Sequence, residues 1–221
     1  FGMPYLFRDE AHFWNVANGA VGREILRAGD SVGLHGLAYY DAGARSFYTV
    51  DRPVLTPGDL KESKIRVMSS KTARDLIVTL GAGATPIPVG DLYTALQQRM
   101  VNGAENNPPS FLSNRHHEVA KHYSLTEHTR VPDVLIISQK VWQSLPQHVR
   151  VWVQQAADES VAFQRKLWTE KSAEALELVA KSGVTVHRPD KRPFVEATAR
   201  MYQGIEGTRL GELVEQVRAT P

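Results

Sequence analysis

The chain has 221 residues, enough for one large domain or two small ones with a sizeable core. Apolar residues make up 42% and charged residues 23%, ordinary values for a globular protein; a net charge of +2, with no basic run interleaved with aromatics, argues against nucleic acid as a partner. There is no cysteine, which excludes thiol catalysis and disulfides, and no apolar run approaches the roughly 18 residues that cross a membrane.

The sequence opens on Phe1, and FGMPYLFRDEAHFW reads like the interior of a protein, so the natural N-terminus is expected upstream. An amphipathic helix is expected over residues 9–28, then a strand over 32–40, then a proline-punctuated connection at RPVLTPGDL. From Lys64 the pattern sharpens. KIRVM reads as a short strand, and SKTARDLIVTLGAG as a helix with Ala73, Leu76, Ile77 and Leu80 on one face, ending at Gly81. TPIPV is expected to be extended, GDLYTALQQRMVNG helical with Leu92, Ala95, Leu96 and Met100 inward, and AENN extended again. Strand, helix, strand, helix, strand predicts parallel strands joined by right-handed crossovers, hence an α/β fold.

The apolar run Val134 to Ile137 predicts a strand buried on both faces. Ser144 and Gln147 form a Ser-x-x-Gln pattern, a candidate capping box for a helix running to about Lys181, with Trp152, Ala156, Phe163 and Leu167 in register. Unbroken, that helix would be roughly 50 Å long, enough to brace two lobes. VTVHRPD reads as a closing strand, followed by a helical C-terminus.

In open parallel sheets, ligands sit beyond the carboxyl ends of the strands. Arg66, Met68 and Ser69 stand at that end of the first strand of the unit, and Asn106 and Asn107 at that end of the third. A helix starting near Ser70 would aim its N–H groups at the same rim, which favours an anion, and an arginine fork matches a carboxylate. A plainer reading stands beside this one: Arg66 pairs with a neighbouring acid, and the asparagines, followed by proline, only end a strand.

The histidine-rich HHEVAKH fails the zinc-hydrolase pattern, because His117 and His122 are five apart and diverge by about 140° on a helix. Surface histidines are expected there, and no metal or cofactor. No Gly-x-Ser-x-Gly elbow is present, and GAGATP lacks the lysine of a phosphate loop, so its glycines are expected to end a helix. Trp142, Trp152 and Trp168 read as core or lobe-contact residues, with stacking on a sugar as the alternative.

The segments PYLFRDEAHFW, GARSFYTVDRP, TPGDLKESKIRV, DLYTALQQRMVNGAEN and HHEVAKHYSLTEH, in this order and spacing, resemble the DctP-like solute-binding proteins of TRAP (tripartite ATP-independent periplasmic) transporters. The resemblance covers nearly the whole chain. It implies a two-lobed α/β protein of the periplasmic-binding-protein type, closing on an organic acid, with a long helix spanning both lobes and the first lobe incomplete. Residues 1–43 and 132–171 would belong to the first lobe, and 44–131 and 172–221 to the second. Arg66 would then clamp the ligand carboxylate, Arg45 would support it, and Asn106, forty residues after Arg66, would be the family's binding asparagine.

The sequence departs from the family at Asn102-Gly103-Ala104-Glu105-Asn106, where Asp-Gly-Gln-Glu-Asn is usual, at Met68, where proline is common, and at Val89, where several members carry an aromatic. The Ala-Glu-Asn-Asn-Pro-x-Ser version is similar to the branch that takes sugar acids such as glucuronate or galacturonate. The resemblance thus implies a periplasmic carrier of a hexuronate, delivering it to TRAP membrane subunits without itself spanning the membrane. The alternatives are a carrier of C4-dicarboxylates or other carboxylates, an enzyme acting on a small acid through His117 or His122, and a sensor module.

Overall fold

Helices and strands are interspersed along the chain, and the fold is mixed α/β with one long helix. The computed structural model describes Phe1–Pro221. In chain order the elements are α1 (Glu10–Asn18), α2 (Ala20–Arg27), β1 (Leu34–Tyr40), β2 (Arg45–Thr49), β3 (Lys64–Val67), α3 (Lys71–Thr79), β4 (Gly83–Pro86), α4 (Val89–Gln97), β5 (Gly103–Asn106), α5 (Pro108–Ser113), β6 (His122–Thr129), β7 (Asp133–Ser138), α6 (Gln139–Ser144), α7 (Gln147–Lys181), β8 (Thr185–His187), α8 (Arg192–Thr198), α9 (Arg200–Gln203) and α10 (Arg209–Ala219). The chain divides into two units: Phe1–Tyr5, Gly43–Val131 and Lys171–Thr208 form one, and Leu6–Ala42, Pro132–Glu170 and Arg209–Pro221 the other.

The first unit is built on a six-stranded sheet of order β4-β3-β5-β2-β6-β8. β3 runs parallel to both β4 and β5, β2 is antiparallel to β5 and β6, and β6 is parallel to β8. Side chains alternate between the two faces of a strand. Ile65 and Val67 therefore join Phe47, Leu76, Ile77 and Phe194 in one core, while Tyr48, Ala104 and Tyr123 join Leu92, Leu96 and Phe111 in the other. Arg66 falls between Ile65 and Val67 and takes the second face. There it heads a row of register partners, Arg66, Ala104, Tyr48, Tyr123 and Val186, across five strands.

Two details here differ from expectation. The extended piece after α3 is Gly83–Pro86, earlier than TPIPV, because Gly81 at φ +93° turns the chain at once and Gly83 N–H donates to Ser63 O at 2.8 Å. Met100 is 59% exposed rather than inward, since α4 stops at Gln97 and leaves it in the following turn; Leu92, Ala95 and Leu96 are buried.

In the second unit, β1 and β7 pair antiparallel as a two-stranded sheet. β7 is not buried on both faces: Val134 and Ile136 are 44% and 49% exposed, while Leu135 and Ile137 pack with Leu37, Ala38 and Ala157. A two-stranded sheet covered on one side buries only alternate residues. The helix expected over residues 9–28 is two helices, divided where Gly19 becomes extended, with Asp9 capping the first through His12 N–H at 2.7 Å.

The 35 residues of α7 form one helix, about 52 Å long, whose residues to Glu170 belong to this unit and from Lys171 to the other. Its capping box is absent, for Ser144 closes α6 and its hydroxyl donates to Val141 O at 2.8 Å. The stripe of Trp152, Ala156, Phe163 and Leu167 is exposed; α7 instead presents Val153, Ala157 and Val161 to β1, an apolar stripe one position further on. Trp142 stacks on His35 at 4.5 Å. Residues 209–221, expected with the second lobe, pack in this unit, where Arg209 pairs with Glu24 and His12 Nε2 lies 2.9 Å from Val217 O. Phe1–Tyr5, expected with the first lobe, instead join the six-stranded unit through Tyr5 N–H to His128 O at 2.9 Å.

Candidate functional site

The two arginines singled out in the sequence lie in the six-stranded unit and have different partners. Arg66 is 4% exposed and donates from Nε to the Ile87 carbonyl at 2.7 Å. No carboxylate pairs with it. Burial pushes its pKa down and Arg45 adds to that, while Tyr48 and Glu105 oppose; guanidinium is so basic that it stays charged. A buried cation without a counter-ion is costly, so this arginine is the notable charge of the unit.

Arg45, at the start of β2, uses four of its five donors within the protein. It pairs through Nε with Glu105, donates from Nη2 to Glu105 Oε1 at 2.9 Å and to Glu105 O at 2.8 Å, and from Nη1 to Asn106 Oδ1 at 2.9 Å. Burial alone would raise the Glu105 pKa; Arg45, with His128 adding to the effect, holds it down at about 2. His128 lies behind, its Nε2 at 3.5 Å from Glu105 and its Nδ1 at 2.9 Å from Thr126 Oγ1. Burial keeps this imidazole's pKa low despite the glutamate.

The asparagines differ as well. Asn106 ends β5, and its Oδ1 accepts from both Arg45 Nη1 and Asn107 N–H, each at 2.9 Å. Asn107 is buried and caps α5, accepting from Ser110 N–H at 2.8 Å. Met68 is 37% exposed and lines a cavity of about 260 Å³ with Arg45, Ser70, Thr72 and Glu105. Ser69 is exposed and sits elsewhere, in a shallow depression with Lys71, Arg74 and Pro86. Ser70 caps α3, accepting from Ala73 N–H at 3.3 Å. The structure thus gathers Arg45, Glu105, Asn106 and Met68, sets Arg66 on the face of Asn106, gives Asn107 a capping task, and leaves Ser69 apart.

Two residues beside Arg66 escaped the sequence reading. Tyr48 is fully buried, with its hydroxyl 2.9 Å from His116 Nδ1 and the two rings stacked at 5.6 Å. Burial, then the Arg66 charge, lowers the His116 pKa to about 4, so it is neutral near pH 7. The expectation of surface histidines is corrected on this point: His116 is 1% exposed, and His122 Nδ1 lies 3.2 Å from His187 Nε2. Metal spacing presumes one helix through HHE, but the chain there is a short 3-10 turn that buries His116 beside Tyr48. The alternation of Phe47 and Tyr48 carried the only available signal for the tyrosine.

A mixed α/β sheet carrying a buried guanidinium without a carboxylate defines an α/β protein with a candidate anion site. Residues 1–208 match the model of DctP, the bacterial extracellular solute-binding proteins of family 7, and the chain belongs to that family. A solute-binding protein of Chromohalobacter salexigens is 33% identical over 195 residues, 88% of this chain; the chain spans 58% of the length of that relative. A TRAP periplasmic solute-binding protein from a Bradyrhizobium species, in complex with α/β-D-galacturonate, is 45% identical with a TM-score of 0.94, over 99% of this chain and 73% of that one. Another, from Chromohalobacter salexigens with bound D-glucuronate, is 32% identical with a TM-score of 0.95, over 99% and 74%.

Proposed function

We propose that this chain is the ligand-binding part of a TRAP-type receptor that takes a hexuronate, such as galacturonate or glucuronate, in the periplasm and hands it to the transporter's membrane subunits. Membership in the solute-binding family and the hexuronates held by two similar structures support the ligand class. The observation that carries the reading is Arg66, a buried cation whose terminal nitrogens have no acid of the protein to meet. A uronate carboxylate would supply the missing charge as a bidentate pair. Asn106 would bind carboxylate or hydroxyl oxygens, Met68 would line the approach, and Arg45 would support from behind. Asn107 and Ser69 have smaller parts in this reading. No helix is long and apolar enough to cross a membrane.

Calorimetry on the full-length protein tests this. Galacturonate or glucuronate should bind with 1:1 stoichiometry, and Arg66→Ala should cost about 2–5 kcal/mol, the usual loss when one partner of a buried charge pair is removed. Arg66→Lys should also bind poorly, because an ammonium does not reproduce the fork. Unchanged affinity in Arg66→Ala would refute the assignment. NMR of the uronate during incubation should show binding without product; turnover would favour an enzyme instead.

A further inference from the structure

The end of the sheet opposite Arg45 carries two histidines on neighbouring strands. Arg45 stands across from Thr129 at one end of β2, and Thr49 stands across from His122 at the other. β6 runs parallel to β8, with His122 beside Thr185 and Ser124 beside His187. His122 and His187 therefore share a face of the sheet, one diagonal step apart. Both are half-buried, and His122 Nδ1 lies 3.2 Å from His187 Nε2, with the ring centroids 5.4 Å apart. Spacing within HHEVAKH offers His122 no second ligand along one helix, whereas β8 brings one from 65 residues downstream.

A separation of 3.2 Å suits two arrangements. Two neutral imidazoles hydrogen-bond at this distance, one N–H donating to the other ring's bare nitrogen. It is also the bite of a chelate. Two nitrogens about 2.05 Å from one ion lie about 2.9 Å apart at a right angle and about 3.3 Å apart at the tetrahedral angle. The ladder between β6 and β8 holds the rings at that spacing in advance. Chelation needs both nitrogens unprotonated, and burial, with His122 adding to it, lowers the His187 pKa and keeps that ring neutral. No third His, Cys, Asp or Glu completes the group, so water would fill the remaining positions.

We infer that His122 and His187 form a two-imidazole chelating site for a late first-row divalent ion (Zn²⁺, Ni²⁺ or Cu²⁺), which staples the edge strand β8 to β6. Imidazole nitrogen suits these ions, whereas Ca²⁺ and Mg²⁺ take oxygen ligands. Without the ion, one proton bridges the two rings. With it, His122 carries its proton on Nε2 and His187 on Nδ1, and each turns a lone pair to the ion. The bridging proton moves through solvent to the far nitrogen of its own ring, so no net proton is released while both rings are neutral. The site lies apart from the proposed acid-binding residues and stands or falls separately from them.

Titration of the untagged full-length protein with Ni²⁺ by calorimetry, near neutral pH, is the test. One ion per protein should bind, and excess Ca²⁺ should not compete. His122→Gln and His187→Gln should each weaken binding about tenfold or more. His148→Gln, at an exposed histidine of α7, should leave it unchanged. The unfolding midpoint should rise with Ni²⁺ in the native protein and stay fixed in the two β-strand variants. Electron paramagnetic resonance of bound Cu²⁺ in the native protein gives a reading that depends on no variant, and coupling to two nitrogens is expected. Absence of saturable binding, binding that survives either strand substitution, or a Cu²⁺ signal from fewer than two nitrogens would overturn the inference.

Discussion

The start of β2 carries a half-buried arginine and the end of β3 a buried one, and the two are placed in opposite electrostatic situations. Arg45 has Glu105 against it and makes four hydrogen bonds within the protein. Arg66, two strands away in the same sheet, has a single bond to a carbonyl and no acid. The difference teaches that burial and residue type alone do not mark a ligand residue. What distinguishes them is whether the protein has already supplied the counter-charge, for an ion pair closed on itself has little left to offer a ligand.

The largest effect that would break this contrast comes from removing Glu105. Glu105→Ala should turn half-buried Arg45 into a second uncompensated cation and destabilise the fold by about 3 kcal/mol, measured by urea unfolding without ligand. Loss below about 1 kcal/mol would mean that the pair is solvated like a surface bridge.

Acid titration sharpens the same contrast. Glu105 has a folded pKa of about 2, below its ordinary value of 4.5, so its contribution is present above about pH 4.5 and is lost as pH falls toward 2. His116 is depressed from 6.5 to about 4, so the unfolded chain binds more protons between those values and stability declines as pH falls from about 6.5 to 4. His116→Gln should make the upper segment of that decline shallower, His128 supplying part of the remainder, and leave the lower one. A variant whose profile matches the native protein from pH 6.5 to 4 would contradict the burial of the neutral imidazole.

Smaller effects come from the neighbouring side chains. Asn107→Ala should cost about 1 kcal/mol of stability through loss of the α5 cap, seen in the unfolding midpoint. Ser69→Ala, at an exposed position, should change stability by less than about 0.5 kcal/mol. A large effect at Ser69 and none at Asn107 would reverse the assignment of the two.

Much of the architecture was legible because it is local. The periodicity of Ala73, Leu76 and Ile77 and the strand at KIRV gave α3 and β3 within a residue or two. The length of α7 followed from an unbroken helical pattern, but its buried stripe did not. Apolar residues occur on adjoining faces, and only packing on β1 selects Val153, Ala157 and Val161. β7 failed for a similar reason, since an apolar run does not reveal how many strands will cover it.

At the site, Arg66 and Asn106 were visible as residues at strand ends. The pairing of Arg45 with Glu105, and of Tyr48 with His116, depends on β2 inserting between β5 and β6, a non-local arrangement that spacing does not encode.

The most direct test of the Arg66 account compares galacturonate with its uncharged parent sugar, galactose, by calorimetry on native protein and on Arg66→Ala. The account predicts that the native protein binds the uronate far more tightly than galactose and that Arg66→Ala loses most of this preference. Equal binding of the two sugars by the native protein, or a preference unchanged in Arg66→Ala, would contradict it.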